Sequence, residues 1–177
     1  RVNVQSELTA YNFAGDYTAW FYNGENHNIG PEKLTETDGT RLPVMTVKAG
    51  DKHYMAIHEA CLETGAPLVL QSKGGESLFS VASKPTSLSP GYTSAWRVVL
   101  YGTTPGVLTD SHLLELLNPD PDSRYDFSWV KPGLAVWDWR INGAVWDGFT
   151  YGMSYPSWVR MVDFAAEQGF KYLVLDA

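Results

Sequence analysis

The sequence predicts a mainly β protein: an antiparallel β-sandwich (supersandwich-like) over residues 1–118, a linker over 119–133, and the start of an α/β domain over 134–177. Three observations predict this class. Before residue 118, short apolar runs recur every ~8 to 15 residues with Gly, Pro and Asp between them, as in antiparallel sandwiches. A Pro- and Asp-rich stretch follows. Beyond it, apolar residues fall in the order strand, helix, strand, which predicts one βαβ unit with a parallel pair.

The strands of the first part follow from periodicity and turn residues. Apolar and polar residues alternate in MTVK (45–48) and in HYMAIH (53–58), which predicts half-buried strands. Residues 111–117 are expected to form a short amphipathic turn of helix or strand. The predicted strands are residues 9–13, 17–22, 41–49, 53–58, 68–71, 78–82 and 96–101.

The last part has a different character, and five of the seven Trp lie between Trp129 and Trp158. Residues 134–139 are a nearly continuous apolar run, which predicts a strand buried on both faces. Pro156 suits the start of a helix over 155–168, and Gly169 its end. Residues 170–176 predict a second buried strand. A (β/α)8 barrel needs roughly 250 residues, so we expect a truncated barrel whose remainder lies beyond this chain.

Composition excludes some classes and favours another. The net charge of −7 argues against a protein that tracks nucleic-acid phosphates. The longest apolar runs fall far short of the roughly 20 residues that cross a bilayer. Aromatic residues make up 14% of the chain, which suits a sugar binder or hydrolase because aromatic rings stack on sugar faces. A large β-rich core is the alternative explanation of the same composition.

Several segments together resemble glycoside hydrolase family 97, the bacterial α-glucosidases and α-galactosidases. Residues 128–139 (SWVKPGLAVWDW) resemble the entry into its catalytic barrel, and residues 162–176 (VDFAAEQGFKYLVLD) its first barrel helix and second strand. Upstream, its N-terminal β-sandwich is similar to FAGDYTAW (13–20), LPV (42–44), AIHEA (56–60) and AWRVV (95–99). The match covers nearly the whole chain in order.

The resemblance implies that the parent protein is an exo-acting α-glycosidase that cleaves terminal α-linked sugars from oligosaccharides, in the periplasm or outside the cell. The family is calcium-dependent, and its catalytic carboxylates come from later barrel strands, so none is expected before Ala177. The isolated chain is therefore expected to be inactive. The family contains inverting and retaining members, which differ in where the second carboxylate lies.

The resemblance also implies one metal ligand. Glu59 is similar to the sandwich-domain glutamate that helps to bind calcium, and Ca²⁺ prefers carboxylate oxygens. The alternative is a solvated glutamate at a turn after the strand.

Four residues of the last part are candidates for binding sugar. Strand alternation is expected to put Trp137 and Trp139 on one face, where one of them can stack on a sugar while the other fills the barrel; plain core packing is the alternative. Asp176 resembles an acceptor of sugar hydroxyls, with a helix cap or a structural salt bridge as the alternative. Trp146 lies in the Gly- and aromatic-rich loop 140–154, where it can serve as a sugar platform.

The sequence is also compatible with a different class of function, that of a non-catalytic carbohydrate-binding β-sandwich module. The residues after 133 discriminate between the two, because a pure sandwich has no use for a buried parallel pair.

Overall fold

The computed structural model describes residues 2–25, 27–63, 65–84 and 87–176. The chain forms two units, residues 1–120 and 121–177. The first unit contains, in chain order, the strands β1 (Val2–Asn3), β2 (Ala10–Asn12), β3 (Thr18–Tyr22), β4 (Asn28–Lys33), β5 (Asp38–Lys48), β6 (Tyr54–Ala60), β7 (Leu70–Lys73), β8 (Leu78–Val81), β9 (Ser87–Leu88) and β10 (Trp96–Gly102), and the short helices α1 (Gly106–Thr109) and α2 (Leu113–Leu116).

One curled antiparallel sheet dominates the first unit. Its strand order is β10-β6-β5-β7-β8-β2, and β3 pairs with both β5 and β4. The long strand β5 joins the two halves: residues 38–41 pair with β7, whereas residues 45–48 lie between β3 and β6. The pairing of β3 with β5 shifts register after Phe21, and such irregularities increase strand twist. The predicted mainly β, antiparallel class is confirmed, but the strands form one sheet curled into a half-barrel, apart from β1 and β9, which pair with each other.

The core explains the apolar periodicity of the strands. Met45 and Val47 are fully buried in β5, with the more exposed Thr46 between them and the more exposed Lys48 after them. In β6, by contrast, both faces are covered: Ile57 faces the main core, while Ala56 faces a second cluster completed by α1 and α2. The main core consists of Ala19, Phe21, Leu34, Met45, Val47, Ile57, Leu68, Leu70, Phe79 and Val81.

The second unit contains a parallel pair of strands joined through a helix. The strand β11 (Ala135–Trp137) lies parallel to β14 (Tyr172–Val174), and α4 (Tyr155–Glu167) is between them in sequence. A helical turn, α3 (Asp138–Ile141), and the hairpin of β12 (Val145–Trp146) and β13 (Phe149–Thr150) connect β11 to α4. Among the described residues, no helix has the length and apolar character needed to cross a membrane.

The end of β11 differs from the sequence prediction. The strand predicted over 134–139 stops at Trp137, and Asp138 begins a helical turn. Trp137 and Trp139 therefore do not share a strand face. The predicted strand is also not buried on both faces within this chain, since Leu134 is 66% exposed and Ala135, the first residue of β11, is exposed as well. Two parallel strands and one helix offer too little surface to cover it.

Candidate functional site

A buried ion-pair network lies in the first unit. The guanidinium of Arg97 donates through Nη1 to Oε2 of Glu59 at 3.0 Å. It also donates through Nε and Nη2 to the two carboxylate oxygens of Glu7, at 3.2 and 3.0 Å. The backbone N–H of Leu68 donates to the same Oε2 of Glu59 at 2.6 Å. Glu59 is only 7% exposed, so its charge is held away from water by these partners.

Strand pairing builds this network. Arg97 in β10 is the register partner of Glu59 in β6, and directly opposed residues of an antiparallel pair are close enough to interact. The hydrogen bond from Arg97 is the main cause that lowers the pKa of Glu7, against the opposing effect of burial. Burial by itself would lower the pKa of Arg97, but the two glutamates raise it. Burial also raises the pKa of Tyr11.

Glu59 therefore differs from both sequence-based descriptions of its surroundings. It lies within β6 and not after it, and it is not solvated at a turn. Among the described residues, no group of three or more His, Cys, Asp or Glu side chains is placed to hold a metal ion.

The second unit has an open, mainly apolar cavity of about 640 Å³. Its wall includes Trp137 and Trp146, two of the predicted sugar contacts, and Tyr151 of the same loop. Arg140 also lines it, and its guanidinium lies over the Trp137 ring at 5.0 Å from the ring centre. One face of Trp137 is therefore covered by a cation. Trp139 does not line the cavity, and its side chain is 55% exposed.

The carboxyl ends of the two parallel strands are joined by hydrogen bonds. Nε1 of Trp137, the last residue of β11, donates to Oδ2 of Asp176 at 3.2 Å. Asp176 follows β14, and its own backbone N–H donates to Oδ1 of Asp138 at 3.0 Å. The structure thus brings Trp137, Trp146 and Asp176 into one unit, while Glu59 belongs to the other.

Sequence reasoning assigned no role to Arg97. It also did not identify Trp158 and the backbone of Asp176 as the hydrogen-bond donors to Asp138. Arg97 and Asp138 each had a signal, because each is a charged residue inside an otherwise apolar run: AWRVVL (95–100) and AVWDW (135–139). A charge in such a run needs a buried partner. The identity of that partner could not be obtained from spacing, since Glu59 precedes Arg97 by 38 positions.

These features define a class: a mainly β unit joined to a parallel strand–helix–strand unit that presents aromatic rings and a carboxylate. Comparison with known proteins specifies it further. Residues 1–119 match the family model described as "Glycosyl-hydrolase 97 N-terminal". The chain therefore belongs to glycoside hydrolase family 97, as its motifs predicted.

Relatives cover nearly all of the chain. A retaining α-galactosidase of Bacteroides thetaiotaomicron is 28% identical over 92% of the chain, and a probable retaining α-galactosidase of Streptomyces bingchenggensis is 28% identical over 99%. The chain spans 28% and 27% of the lengths of these proteins.

Solved structures show the same likeness. A family 97 enzyme from Pseudoalteromonas sp. strain K8, in complex with acarbose, aligns over 97% of this chain and 28% of its own, with a TM-score of 0.69 and 25% identity. A β-arabinopyranosidase aligns over 94% of this chain and 30% of its own, with a TM-score of 0.68. At 15% identity, that second likeness is one of fold.

Proposed function

We propose that this chain forms the N-terminal part of an exo-acting glycoside hydrolase that removes terminal α-linked sugars, with α-galactosides ahead of α-glucosides. The observation that carries the proposal is the match of residues 1–119 to the family 97 N-terminal model, in a chain whose curated relatives are α-galactosidases. The periplasm or the cell exterior, where such an enzyme meets oligosaccharides, is the proposed compartment.

The second unit is proposed to be the first βαβ unit of a (β/α)8 barrel. The parallel pairing of β11 with β14 around α4 supports this assignment. So does the exposure of Tyr172 and Val174 in β14, at 40% and 44%, because barrel strands are normally covered by side chains on both faces.

The chain's own residues would bind the sugar without reacting with it. Hydrolysis replaces the leaving group at the anomeric carbon by water, through an oxocarbenium-like transition state flanked by two carboxyl groups. We assign neither of these groups to residues 1–177. Trp137 and Trp146 offer apolar surface to a sugar face, and Asp176 offers Oδ1 to a hydroxyl. The exposed ring of Trp139 is a candidate platform for a more distant sugar unit.

Glu59 is the one residue of this chain that we propose as a calcium ligand. Its Oε2 already accepts hydrogen bonds from Arg97 and Leu68, and the positive charge of Arg97 opposes a divalent cation. Calcium takes six to eight oxygen ligands, and the described residues offer no cluster of them. The residues of this chain therefore do not fit a calcium ion by themselves. We propose that Glu59 supplies one ligand, through Oε1, and that the remaining ligands come from the rest of the parent protein.

Calcium titration of the full-length protein tests this assignment. Glu59→Gln is expected to weaken calcium binding at least tenfold, while Glu63→Gln, at an exposed glutamate four residues further along the chain, is expected to leave it unchanged. Equal affinity of both variants and the wild type would remove Glu59 from the calcium site.

Hydrolysis by the full-length protein tests the function. We expect release of p-nitrophenol from the α-galactoside, none from the β-galactoside, and none from residues 1–177 alone. Since the curated relatives are retaining enzymes, proton NMR is expected to show the α-anomer of the sugar as the first product. Sugar binding without hydrolysis of α-galactoside or α-glucoside would instead favour the non-catalytic carbohydrate-binding module.

A further inference from the structure

Asp138 is a buried carboxylate with two separate hydrogen-bond donors. It lies directly after β11 and is 1% exposed. Its Oδ2 accepts from Nε1 of Trp158 in α4 at 2.9 Å, and its Oδ1 accepts from the backbone N–H of Asp176 at 3.0 Å. No ion pair to Asp138 is found within the described part of the chain. Neutral N–H groups from two other segments therefore hold this carboxylate in place.

The hydrogen bonds of Asp138 extend to the proposed sugar contacts. The residue whose backbone it holds, Asp176, accepts a hydrogen bond from the indole of Trp137 through Oδ2. A continuous series thus runs from Trp158 through Asp138 and Asp176 to Trp137. It links the carboxyl ends of two parallel strands to the helix between them, at the edge where α/β folds place their ligands.

We propose that Asp138 is a positioning residue that fixes the carboxylate of Asp176 and the indole of Trp137 for contact with the substrate sugar. This inference rests on the proposed function. Oδ2 of Asp176 is occupied by Trp137, whereas Oδ1 accepts no hydrogen bond from the described residues and is available to a sugar hydroxyl. A displacement of about 1 Å in such a group can reduce the rate about a hundredfold, so a group that holds its backbone matters to the reaction.

Substitutions in the full-length protein separate positioning from plain stabilisation. Asp138→Asn keeps the shape but turns an N–H donor toward Trp158 or Asp176, so one of the two hydrogen bonds breaks. We expect kcat/KM for p-nitrophenyl α-galactoside to fall about 10- to 100-fold. The matched control is Asp163→Asn, at an exposed aspartate of α4, and is expected to change kcat/KM less than about twofold.

We expect Asp138 to influence kcat/KM because it holds Asp176 in place. In an Asp176→Asn background, Asp138→Asn is therefore expected to lower kcat/KM by no more than about threefold further. A readout that does not need activity is the ¹⁹F resonance of fluorotryptophan at Trp137, assigned with Trp137→Phe. Asp138→Asn is expected to shift this resonance, and Asp163→Asn to leave it in place.

Three results would overturn the positioning role. The first is an unmoved Trp137 resonance in Asp138→Asn. The second is that the effects of Asp138→Asn and Asp176→Asn on kcat/KM simply multiply. The third is a lower melting temperature of Asp138→Asn with unchanged kcat/KM per folded molecule. Absence of hydrolysis by the wild type would overturn the proposed function itself, and the ¹⁹F readout keeps these two failures distinct.

Discussion

Replacing Arg97 by Met tests how much the pairing of buried charges contributes to the stability of the first unit. Arg97 holds Glu59 at 3.0 Å, both oxygens of Glu7, and the carbonyl oxygen of Ala66. Met preserves an unbranched apolar stem but removes every one of these donors. Glu59, 7% exposed, is then left with the N–H of Leu68 as its sole donor among the described residues.

The structure sets the size of the effect. Removing one partner of a buried ion pair costs about 3 to 5 kcal/mol, because the other charge stays buried and unpaired. The Arg97 side chain is 16% exposed, which favours the lower end, about 3 kcal/mol. For a unit of this size, that corresponds to a fall in melting temperature of roughly 12 °C. Glu7 adds little, since its side chain is 22% exposed and can return to water.

The assay is urea unfolding followed by far-ultraviolet circular dichroism, with Glu59→Gln as a second background. Once Glu59 carries no charge, we expect Arg97→Met to cost only about 1 kcal/mol, the value of ordinary hydrogen bonds. The matched control is Arg41→Met. Its partner Glu32 lies at 3.2 Å and is 21% exposed, so the expected loss is about 1 kcal/mol. An equal cost of Arg97→Met in both backgrounds would refute the reasoning.

Two further predictions concern the same unit. Because Arg97 lowers the pKa of Glu7 from its ordinary value of 4.5, Glu7 stabilises the fold above that pH, and the benefit is lost as pH falls through its lowered folded-state pKa. Urea midpoints of wild type and Glu7→Gln should therefore differ near pH 7, and the difference should shrink as pH falls below 4.5; a constant gap would contradict this. Gly30→Ala would bring a Cβ within 2.9 Å of the Cα of Trp20, whereas Gly39→Ala, also at positive φ, meets nothing within 4 Å. Gly30→Ala should be about 2 kcal/mol more destabilising in the same unfolding assay, and equal losses would mean that backbone conformation alone matters.

The elements with a strong local pattern could be predicted from sequence. The strands β5 and β6 follow from alternation, and α4 from its apolar face, its early Pro156 and the glycine that ends it. The strand β4 was not predicted, because Gly30-Pro31 is typical of a turn. The end of β11 was misplaced for a related reason: an apolar run does not show where a strand turns into a helix.

The candidate site was only partly predictable. The aromatic residues Trp137 and Trp146 were identified from composition and position, and the structure places both on one cavity wall. The same cavity shows Arg140 stacked on Trp137, which no spacing rule indicates. The network around Glu59 depends on a register partner in another strand, so its burial could not be deduced from the neighbours of Glu59 in sequence.

The amino-acid order by itself determined the mainly β class, the boundary near residue 120 between the β part and the strand–helix–strand part, the helix before Gly169 and the family. Each of these depends only on local periodicity or on contiguous motifs. Tertiary structure alone decided that β2 and β3, adjacent in sequence, pair with different partners. It also decided that Asp138 and Glu59 are buried and which groups satisfy them. The physical reason is that a period of two specifies a strand but not its neighbour, and a buried charge is defined by donors that arrive from distant parts of the chain.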